Sequence, residues 1–223
     1  MDAVILAAGR GERLGGITAP FHKPMLVVDG SPLIRTAVNL SSRVGAQRCV
    51  IVAAPDNAAP INHVAPDWAR MVIQRQPNGP GLALRLGLES CTSAEVLVLM
   101  GDNVVTYADV KKVVNAYGNV IGVSMHDADS AERFTRARPA ELGKPLQWVE
   151  KVPITEEDLY DHGMATCWVG PIKVRRDEML GAISAWIRRN EDSEVPIGPT
   201  FNFLTDVSMV SVTSIDIGVP EAL

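Results

Sequence analysis

Short apolar runs recur along the chain, and segments with helical spacing of apolar positions separate them. Runs without strict alternation are typical of strands that are buried on both faces of a parallel sheet. The predicted strands are residues 4–7, 48–54, 71–73, 96–100 and 120–125, with less regular runs at 146–149, 167–174 and 207–215. The predicted helices are residues 32–44, a helix that begins at Pro80, 107–117 and 176–189.

The alternation of strands and helices predicts stacked βαβ units and an α/β fold with a mainly parallel sheet. Residues 55–67 carry three prolines and predict a loop with at most a short helix. The sequence has no repeat, no low-complexity segment and no evident linker. We therefore expect 223 residues to form a single domain with a substantial core.

Composition and charge exclude several classes of protein. Hydrophobic residues make up 47% and charged residues 21%, and the net charge of −5 offers no basic surface for nucleic acid or an anionic membrane. The three cysteines, Cys49, Cys91 and Cys167, are too far apart for a C-x-x-C site and predict buried thiols in a reducing compartment. The sequence has no signal-peptide pattern and no apolar run of ~20 residues. We expect a soluble cytoplasmic protein without a membrane partner.

The first predicted strand ends in a glycine-rich loop that contains Gly9 and Gly11, with Arg10, Arg13 and Lys23 close behind. Consecutive backbone N–H groups in such a loop can bind phosphate oxygens, and the cations supply counter-charge. The glycine spacing fits neither G-x-G-x-x-G nor the P-loop pattern G-x-x-x-x-G-K-S/T. The loop predicts either a site for a nucleoside triphosphate or a turn without a ligand.

The continuation of this loop favours the triphosphate. Residues 6–14 read L-A-A-G-R-G-E-R-L and are followed by a threonine, Lys23-Pro24 and an apolar run. This stretch resembles, without a gap, the signature of the sugar-1-phosphate nucleotidyltransferases, which include the glucose-1-phosphate thymidylyl- and uridylyltransferases. The resemblance implies a Rossmann-like, glycosyltransferase-A-type three-layer sandwich with a mixed, mainly parallel central sheet. It also implies a nucleotide-binding lobe over residues 1–105 and a sugar-phosphate-binding lobe over residues 106–223.

Two aspartates far apart in the chain are candidate Mg²⁺ ligands. Asp102 follows the predicted strand 96–100 in a G-D-N sequence, which alone is also typical of a plain turn. Asp216 directly follows the predicted strand 207–215 and belongs to D-I-G-V-P-E-A-L, which resembles the second metal-binding segment of the family. Ligands of open parallel sheets lie outside the carboxyl ends of the strands, and Mg²⁺ on a triphosphate takes one or two carboxylates. We expect Asp102 and Asp216 to hold Mg²⁺ together.

The segment Q-P-N-G-P-G-L-A, from Gln76 to Ala83, resembles the base-binding segment of the family. An amide side chain can both donate to and accept from a base edge, and a glycine lets the ring approach the backbone. The resemblance implies that Gln76 and Gly81 read a pyrimidine, so that dTTP or UTP is the favoured nucleotide. An exposed turn without this role is the alternative.

The acceptor side is less regular. Glu150-Lys151 resembles an E-K-P sequence whose glutamate binds a sugar hydroxyl and whose lysine binds the sugar phosphate, but here the proline is displaced to Pro153. Thr166 falls in a segment that lines the sugar pocket in the family. Thr135 and Cys167 stand where glycine is usual. These departures leave the identity of the acceptor open.

The resemblance implies that a sugar 1-phosphate attacks the α-phosphorus of the triphosphate in line and releases pyrophosphate, with Mg²⁺ as cofactor. Arg13 would hold the leaving phosphates, Lys23 would stabilise charge at the α-phosphate, and Lys151 would hold the attacking phosphate. The implied nucleotide-binding residues are Leu6, Ala7, Ala8, Gly9, Gly11, Arg13, Gln76, Gly81 and Asp102.

Two alternatives stay open. One is nucleotidyl transfer to another phosphorylated molecule such as phosphocholine, for which an aromatic cage would be expected. The other is a catalytically silent module that senses a nucleotide or sugar. The chain ends at Leu223, where a last helix would begin, so we expect no C-terminal acyltransferase domain. Because members of the family are often dimers or tetramers, a homo-oligomer is also consistent with the resemblance.

Overall fold

The computed structural model describes residues 1–9, 22–76, 78–139, 146–190 and 194–216, with the backbone alone described at Asp161 and 214–216. The strands are β1 (Asp2–Ala7), β2 (Val27–Val28), β3 (Ser31–Pro32), β4 (Cys49–Ala53), β5 (Ala69–Ile73), β6 (Glu95–Met100), β7 (Asn103–Val105), β8 (Asn119–Asp127), β9 (Arg136–Arg138), β10 (Gln147–Val149), β11 (Met164–Arg175), β12 (Val207–Ser211) and β13 (Ser214–Asp216). The α-helices are α1 (Leu33–Arg43), α2 (Ala58–Val64), α3 (Pro80–Glu89), α4 (Tyr107–Asn115), α5 (Ala128–Ala131) and α6 (Arg176–Arg189). Short 3-10 helices cover Lys23–Met25, Glu156–Asp158, Asp161–Gly163 and Gly198–Phe203.

The main sheet has the strand order β10-β9-β11-β6-β1-β4-β5, and β8 and β12 extend it from β11. Strands β6, β1, β4 and β5 are parallel, as their uninterrupted apolar sequences predict. Strand β11 is antiparallel to β6, β8 and β9. The predicted α/β fold with a mixed sheet is confirmed.

Helices cover both faces of this sheet. Val4 and Leu6 of β1 share a core with α3 and α6, whereas Ala3 and Ile5 point to the other face and pack with α1 and α4. The alternation of side chains along a strand explains this division, because successive residues point to opposite faces. The result is the predicted three-layer arrangement.

Strand β1 lies at the point where the strand order reverses. The chain moves from β1 outward to β4 and β5, and then returns to place β6 on the opposite side of β1. In open α/β sheets, such a switch point opens a crevice at the carboxyl ends of the two central strands. The glycine-rich loop after β1 therefore begins at the expected binding position.

The long strand β11 joins the parallel half of the sheet to the rest. Its C-terminal part pairs with β6, and Thr166 and Cys167 in its N-terminal part pair with β9. Its register against β8 shifts between Trp168 and Ile172, which marks a bulge. Bulges redirect side chains and backbone beside functional sites, and this one faces the end of β6.

The single strand predicted over residues 207–215 was wrong in extent, because the segment contributes to two strands, β12 and β13, in different sheets. The N–H of Val212 still donates to the Val123 carbonyl of β8 (2.9 Å), but the N–H of Thr213 donates to the Asp109 carboxylate (3.1 Å). That second bond turns the chain away from the main sheet toward β7. The division into lobes at residue 105 stays a prediction.

The three cysteines are buried, as predicted. Burial raises the pKa of each thiol to about 12. At neutral pH the groups are therefore protonated and act as small apolar side chains.

Candidate functional site

The turn after β6 lies directly beside the end of β1. The N–H of Gly101 donates to the Leu6 carbonyl (2.8 Å), and a Cβ at Gly101 would lie 3.1 Å from that oxygen and 3.1 Å from the Ala7 Cβ. This tight approach favours glycine and fixes Asp102 beside the start of the loop at Ala8. Leu6 and Ala7 are buried within β1, and Gly9 is exposed after it.

Asn57 holds the end of β1 from the opposite side. Its buried side chain donates to the Ala7 carbonyl (2.7 Å) and accepts from the N–H of Ala54 (2.9 Å). The end of β1 is therefore fixed by the segments that follow both neighbouring strands. A pre-organised backbone of this kind is what anion binding by loop N–H groups requires. Gly11 and Arg13 lie outside the described residues.

Lys23 faces Asp102. It begins the 3-10 helix Lys23–Met25, and the N–H of Leu33 at the start of α1 donates to the Leu26 carbonyl (3.0 Å) just after that helix. The Lys23 side chain is only 10% exposed, and its Nζ lies 3.6 Å from Asp102 Oδ2. A largely buried ammonium at this point can bind a further anion, and the oxygens of the neighbouring carboxylate are of the type that binds a cation.

The backbone of Asp216 reaches the same place by a route that sequence reasoning described incorrectly. Asp216 does not follow a strand of the main sheet. It is the last residue of β13, which pairs antiparallel with β7 and places Asp216 opposite Asn103. Asn103 directly follows Asp102, which lies in the turn between β6 and β7, so the backbone of Asp216 lies near that turn. A shared Mg²⁺ at Asp102 and Asp216 stays a prediction.

A cleft of about 400 Å³ opens in front of these residues. One wall comes from the turn after β6 and from the bulge of β11, and the other comes from the segment after α5 and the end of β10. The lining residues are Lys23, Pro80, Met100, Asp102, Asn103, Glu132, Arg133, Phe134, Thr135, Glu150, Lys151, Trp168, Val169, Gly170 and Ile197. The cleft therefore brings together predicted nucleotide-side and acceptor-side groups.

On the acceptor side, Glu150 and Lys151 both line the cleft, and their contacts with a sugar phosphate stay a prediction. Glu150 accepts a hydrogen bond from the Thr135 hydroxyl (2.8 Å). Lys151 has a left-handed backbone (φ 56°) and forms an exposed ion pair with Glu194 (2.8 Å). An exposed pair of this kind is weak, so an incoming phosphate can compete for the lysine.

A buried ion pair holds the chain after Lys151. Arg136 of β9 is fully buried and donates to the carbonyls of Val152 and Pro153 (2.9 and 2.8 Å) and to Asp158 (3.0 Å). Arg138 donates to the second oxygen of Asp158 (2.9 Å). Burial alone would raise the pKa of Asp158, but these arginines outweigh it and lower the pKa to about 2. The cluster fixes the turn that presents Lys151.

Thr135 and Gly198 fit each other closely. A Cβ at Gly198 would overlap the Cγ2 and Oγ1 atoms of Thr135.

We expect Gly198→Ala to lower the free energy of unfolding by about 1–3 kcal/mol through overpacking. In Thr135→Gly/Gly198→Ala, the new methyl group has space, so part of this loss should be recovered. Chemical denaturation of the two single variants and the double variant measures the coupling, and strictly additive losses would contradict the packing.

The two predicted base-binding residues are not among the residues that line the cleft, although Pro80, next to Gly81, is. Gln76 is exposed, and its side-chain oxygen accepts from the Asn78 amide (3.2 Å). Gly81 is buried, and its N–H donates to the Val195 carbonyl (2.7 Å); a Cβ there would lie 2.7 Å from the Pro196 carbonyl oxygen. Packing against this segment is a sufficient reason for glycine at position 81. A role in reading a base stays a prediction for both residues.

Thr166 and Cys167 lie on β11 outside the cleft lining. Thr166 is buried and donates its hydroxyl to the Met125 sulfur (3.1 Å). Cys167 is buried on the opposite face, in the cluster that includes Ala131 and Ala165. The contact that was expected between Thr166 and a sugar stays a prediction.

Comparison with known proteins places the chain in a family. A family model described as a MobA-like NTP transferase domain matches residues 3–168, more than half of the 223 residues. The chain belongs to this family. The match covers the loop after β1, the turn with Asp102 and the segment with Glu150 and Lys151.

Two relatives that this chain resembles are named as nucleotidyltransferases. A UTP–glucose-1-phosphate uridylyltransferase of Haloferax volcanii is 27% identical over 154 residues, covering 67% of this chain and 56% of the relative. A glucose-1-phosphate thymidylyltransferase of Neisseria gonorrhoeae is 27% identical over 110 residues, covering 47% of this chain and 38% of the relative. The chain thus spans about half or less of the length of these relatives.

A solved structure confirms the fold of the family member. The crystal structure of UDP-glucose pyrophosphorylase complexed with UDP-glucose superposes with a TM-score of 0.77 at 17% identity, covering 99% of this chain and 94% of the other. Within the described ranges, no helix combines the length and apolarity needed to cross a membrane.

Sequence reasoning missed several residues that shape the site of this family member. Asn103 donates to the Val169 carbonyl (3.0 Å) and so ties β7 to the bulge of β11. Trp168 packs edge-on against Phe201 (5.5 Å between ring centroids) and also lines the cleft. A polar residue soon after a strand is the available signal for Asn103 and Asn57, whereas the exposure of Trp168 depends on the bulge and has no local signal.

Proposed function

We propose that this protein is a sugar-1-phosphate nucleotidyltransferase, which joins an NTP and a sugar 1-phosphate to give an NDP-sugar and pyrophosphate. The observation that carries the proposal is the convergence of Lys23, Asp102, Glu150 and Lys151 on one cleft at the switch point of the sheet. Membership of the NTP transferase family and the names of the relatives support it.

In this mechanism, the triphosphate lies over the end of β1, where loop N–H groups contact its phosphates. Lys23 stabilises the charge that develops on the α-phosphate. Lys151 leaves Glu194 and holds the acceptor phosphate, whose oxygen attacks the α-phosphorus while the bond to pyrophosphate breaks. No covalent intermediate with the protein is required, so positioning and charge neutralisation account for catalysis.

We propose that Asp102 and Asp216 hold a magnesium ion. Asp102 lines the cleft, and the backbone of Asp216 lies on the strand paired with β7. Two carboxylates with phosphate oxygens and water form a typical Mg²⁺ environment. Bound there, the ion would neutralise triphosphate charge, and Asp102 and Asp216 would hold it.

The expected nucleotide is dTTP or UTP, because the segment from Gln76 to Gly81 resembles a pyrimidine-reading segment. A grid of the common NTPs against several sugar 1-phosphates and phosphocholine, assayed by pyrophosphate release with Mg²⁺, tests this proposal. We expect release that requires both substrates and is greatest with a pyrimidine nucleotide and a sugar 1-phosphate. If phosphocholine were the one acceptor that supports pyrophosphate release, the acceptor would be a non-sugar phosphorylated molecule. If the protein bound a nucleotide but released no pyrophosphate with any acceptor, it would be a sensing module.

A further inference from the structure

The acceptor wall of the cleft contains a carboxylate whose orientation is set by a neighbouring hydroxyl. Thr135 and Glu150 both line the cleft, and the Thr135 Oγ1 donates to Glu150 Oε2 at 2.8 Å. A hydrogen bond to an ionised group is stronger than one between neutral groups and more directional than a simple charge contact. Glu150 is therefore held in one orientation toward the cleft.

Thr135 cannot readily turn away from this bond. Its backbone carbonyl accepts from the N–H of Trp168 (2.8 Å), which ties it to β11 just before β9 begins. Its methyl and hydroxyl groups fill the space where a side chain at residue 198 would lie, and Gly198 is buried against them. Thr135 itself is only 5% exposed. The hydroxyl that orients Glu150 is thus fixed by both its backbone and its packing.

The chemistry of this pair selects the acceptor. An ionised carboxylate only accepts hydrogen bonds, and its two oxygens offer about four acceptor positions. The Thr135 hydroxyl occupies one acceptor position on Oε2 of Glu150. Because this bond sets the orientation of the carboxylate, it also sets the directions of the remaining acceptor positions. A ligand group with an O–H donor at this point can complete the arrangement, whereas a group without a donor leaves the carboxylate desolvated.

We propose that Thr135 is a specificity-determining residue, whose hydroxyl fixes Glu150 so that the cleft selects a phosphorylated acceptor presenting a hydroxyl donor to this carboxylate. The inference rests on the proposed function, since it concerns the acceptor of that reaction. Thr135 acts through Glu150 and is a positioning residue, without contact to the reacting phosphorus. A deoxy acceptor lacking the relevant hydroxyl should lose this contact.

The test compares the wild type with Thr135→Val and Thr135→Ser. Valine keeps the volume and removes the hydroxyl, while serine keeps the hydroxyl. The substrates are the hexose 1-phosphate that the wild type uses best and its monodeoxy analogues, at saturating NTP. We expect the wild type to discriminate against one analogue by about tenfold or more in kcat/KM, mainly through KM for the acceptor. Thr135→Val should discriminate several-fold less, and Thr135→Ser should retain the wild-type ratio.

Controls separate this role from a general loss of structure. If Thr135 only supports the fold, Thr135→Val lowers kcat/KM for all acceptors in proportion, and an unchanged discrimination ratio would overturn the inference. Thr36→Val, a change at a half-buried threonine on α1, serves as the matched control and should leave the ratio unchanged. Failure of the wild type to use any sugar 1-phosphate would overturn the proposed function, and this inference with it.

Discussion

Lys23→Ala should lower kcat by about a thousandfold while the protein remains folded. In the proposed reaction, Lys23 stabilises charge that develops on the α-phosphate, and removing one such group from a pre-organised site typically costs two to three orders of magnitude. The side chain is 10% exposed and lies 3.6 Å from Asp102, so water cannot fully replace it. Steady-state pyrophosphate release with the preferred substrate pair measures the effect.

Lys111→Ala is the matched control for Lys23→Ala. Lys111 is an exposed lysine of α4 and lies over the ring of Tyr107, outside the cleft lining. Its removal should change kcat by less than about twofold. A Lys23→Ala variant that keeps near-wild-type turnover, with its fold confirmed by circular dichroism, would exclude Lys23 from the chemistry and remove the main electrostatic element of the mechanism.

Asp158→Asn should lower the free energy of unfolding by about 3–5 kcal/mol. The variant leaves the fully buried guanidinium of Arg136 without its counter-charge, and breaking one half of a buried ion pair is more destabilising than the pair is stabilising. The turn behind Lys151 should also loosen, because Arg136 holds the carbonyls of Val152 and Pro153. Chemical denaturation at neutral pH measures the loss.

The pH dependence of the free energy of unfolding gives a second test of the ion pairs of Asp158. Its pKa is about 2 in the folded protein, below the usual 3.8, so its contribution is present above about pH 4 and is lost as the pH falls through about 2. The stability difference between wild type and Asp158→Asn should therefore be constant near neutrality and shrink in acid. Asp177→Asn, at an exposed carboxylate, should change stability by less than about 0.5 kcal/mol. A stability difference between wild type and Asp158→Asn that stays constant down to pH 2 would contradict the lowered pKa of Asp158.

Much of the fold could be predicted because its signals are local. Uninterrupted apolar runs locate β1, β4 and β6, and the helical spacing of apolar positions locates α1 and α6. The rule that ligands lie at the carboxyl ends of parallel strands then places the loop after β1 beside Asp102 without any knowledge of side-chain contacts. Lys23 and Glu150 also line the cleft, although their sequence signal came from a family resemblance.

The remaining features depend on contacts between distant parts of the chain. The Thr135–Glu150 bond, the packing of Thr135 on Gly198 and the buried Arg136–Asp158 pair join segments that no local pattern connects. A threonine in place of a glycine was visible in the sequence, but its compensating Gly198 was not. The turn of the chain toward β13 likewise depends on Asp109, which is 104 residues away from Thr213.

In the proposed reaction, the protein transfers the nucleotidyl group of an NTP to a phosphorylated acceptor bound in the cleft. The most direct measurement follows [α-³²P]UTP or [α-³²P]dTTP with Mg²⁺ and a sugar 1-phosphate, and separates the products by chromatography. We expect the label to appear in an NDP-sugar, at a rate that depends on the acceptor and equals pyrophosphate release. Label in free nucleoside monophosphate irrespective of the acceptor, or label that stays in the NTP, would contradict the claim.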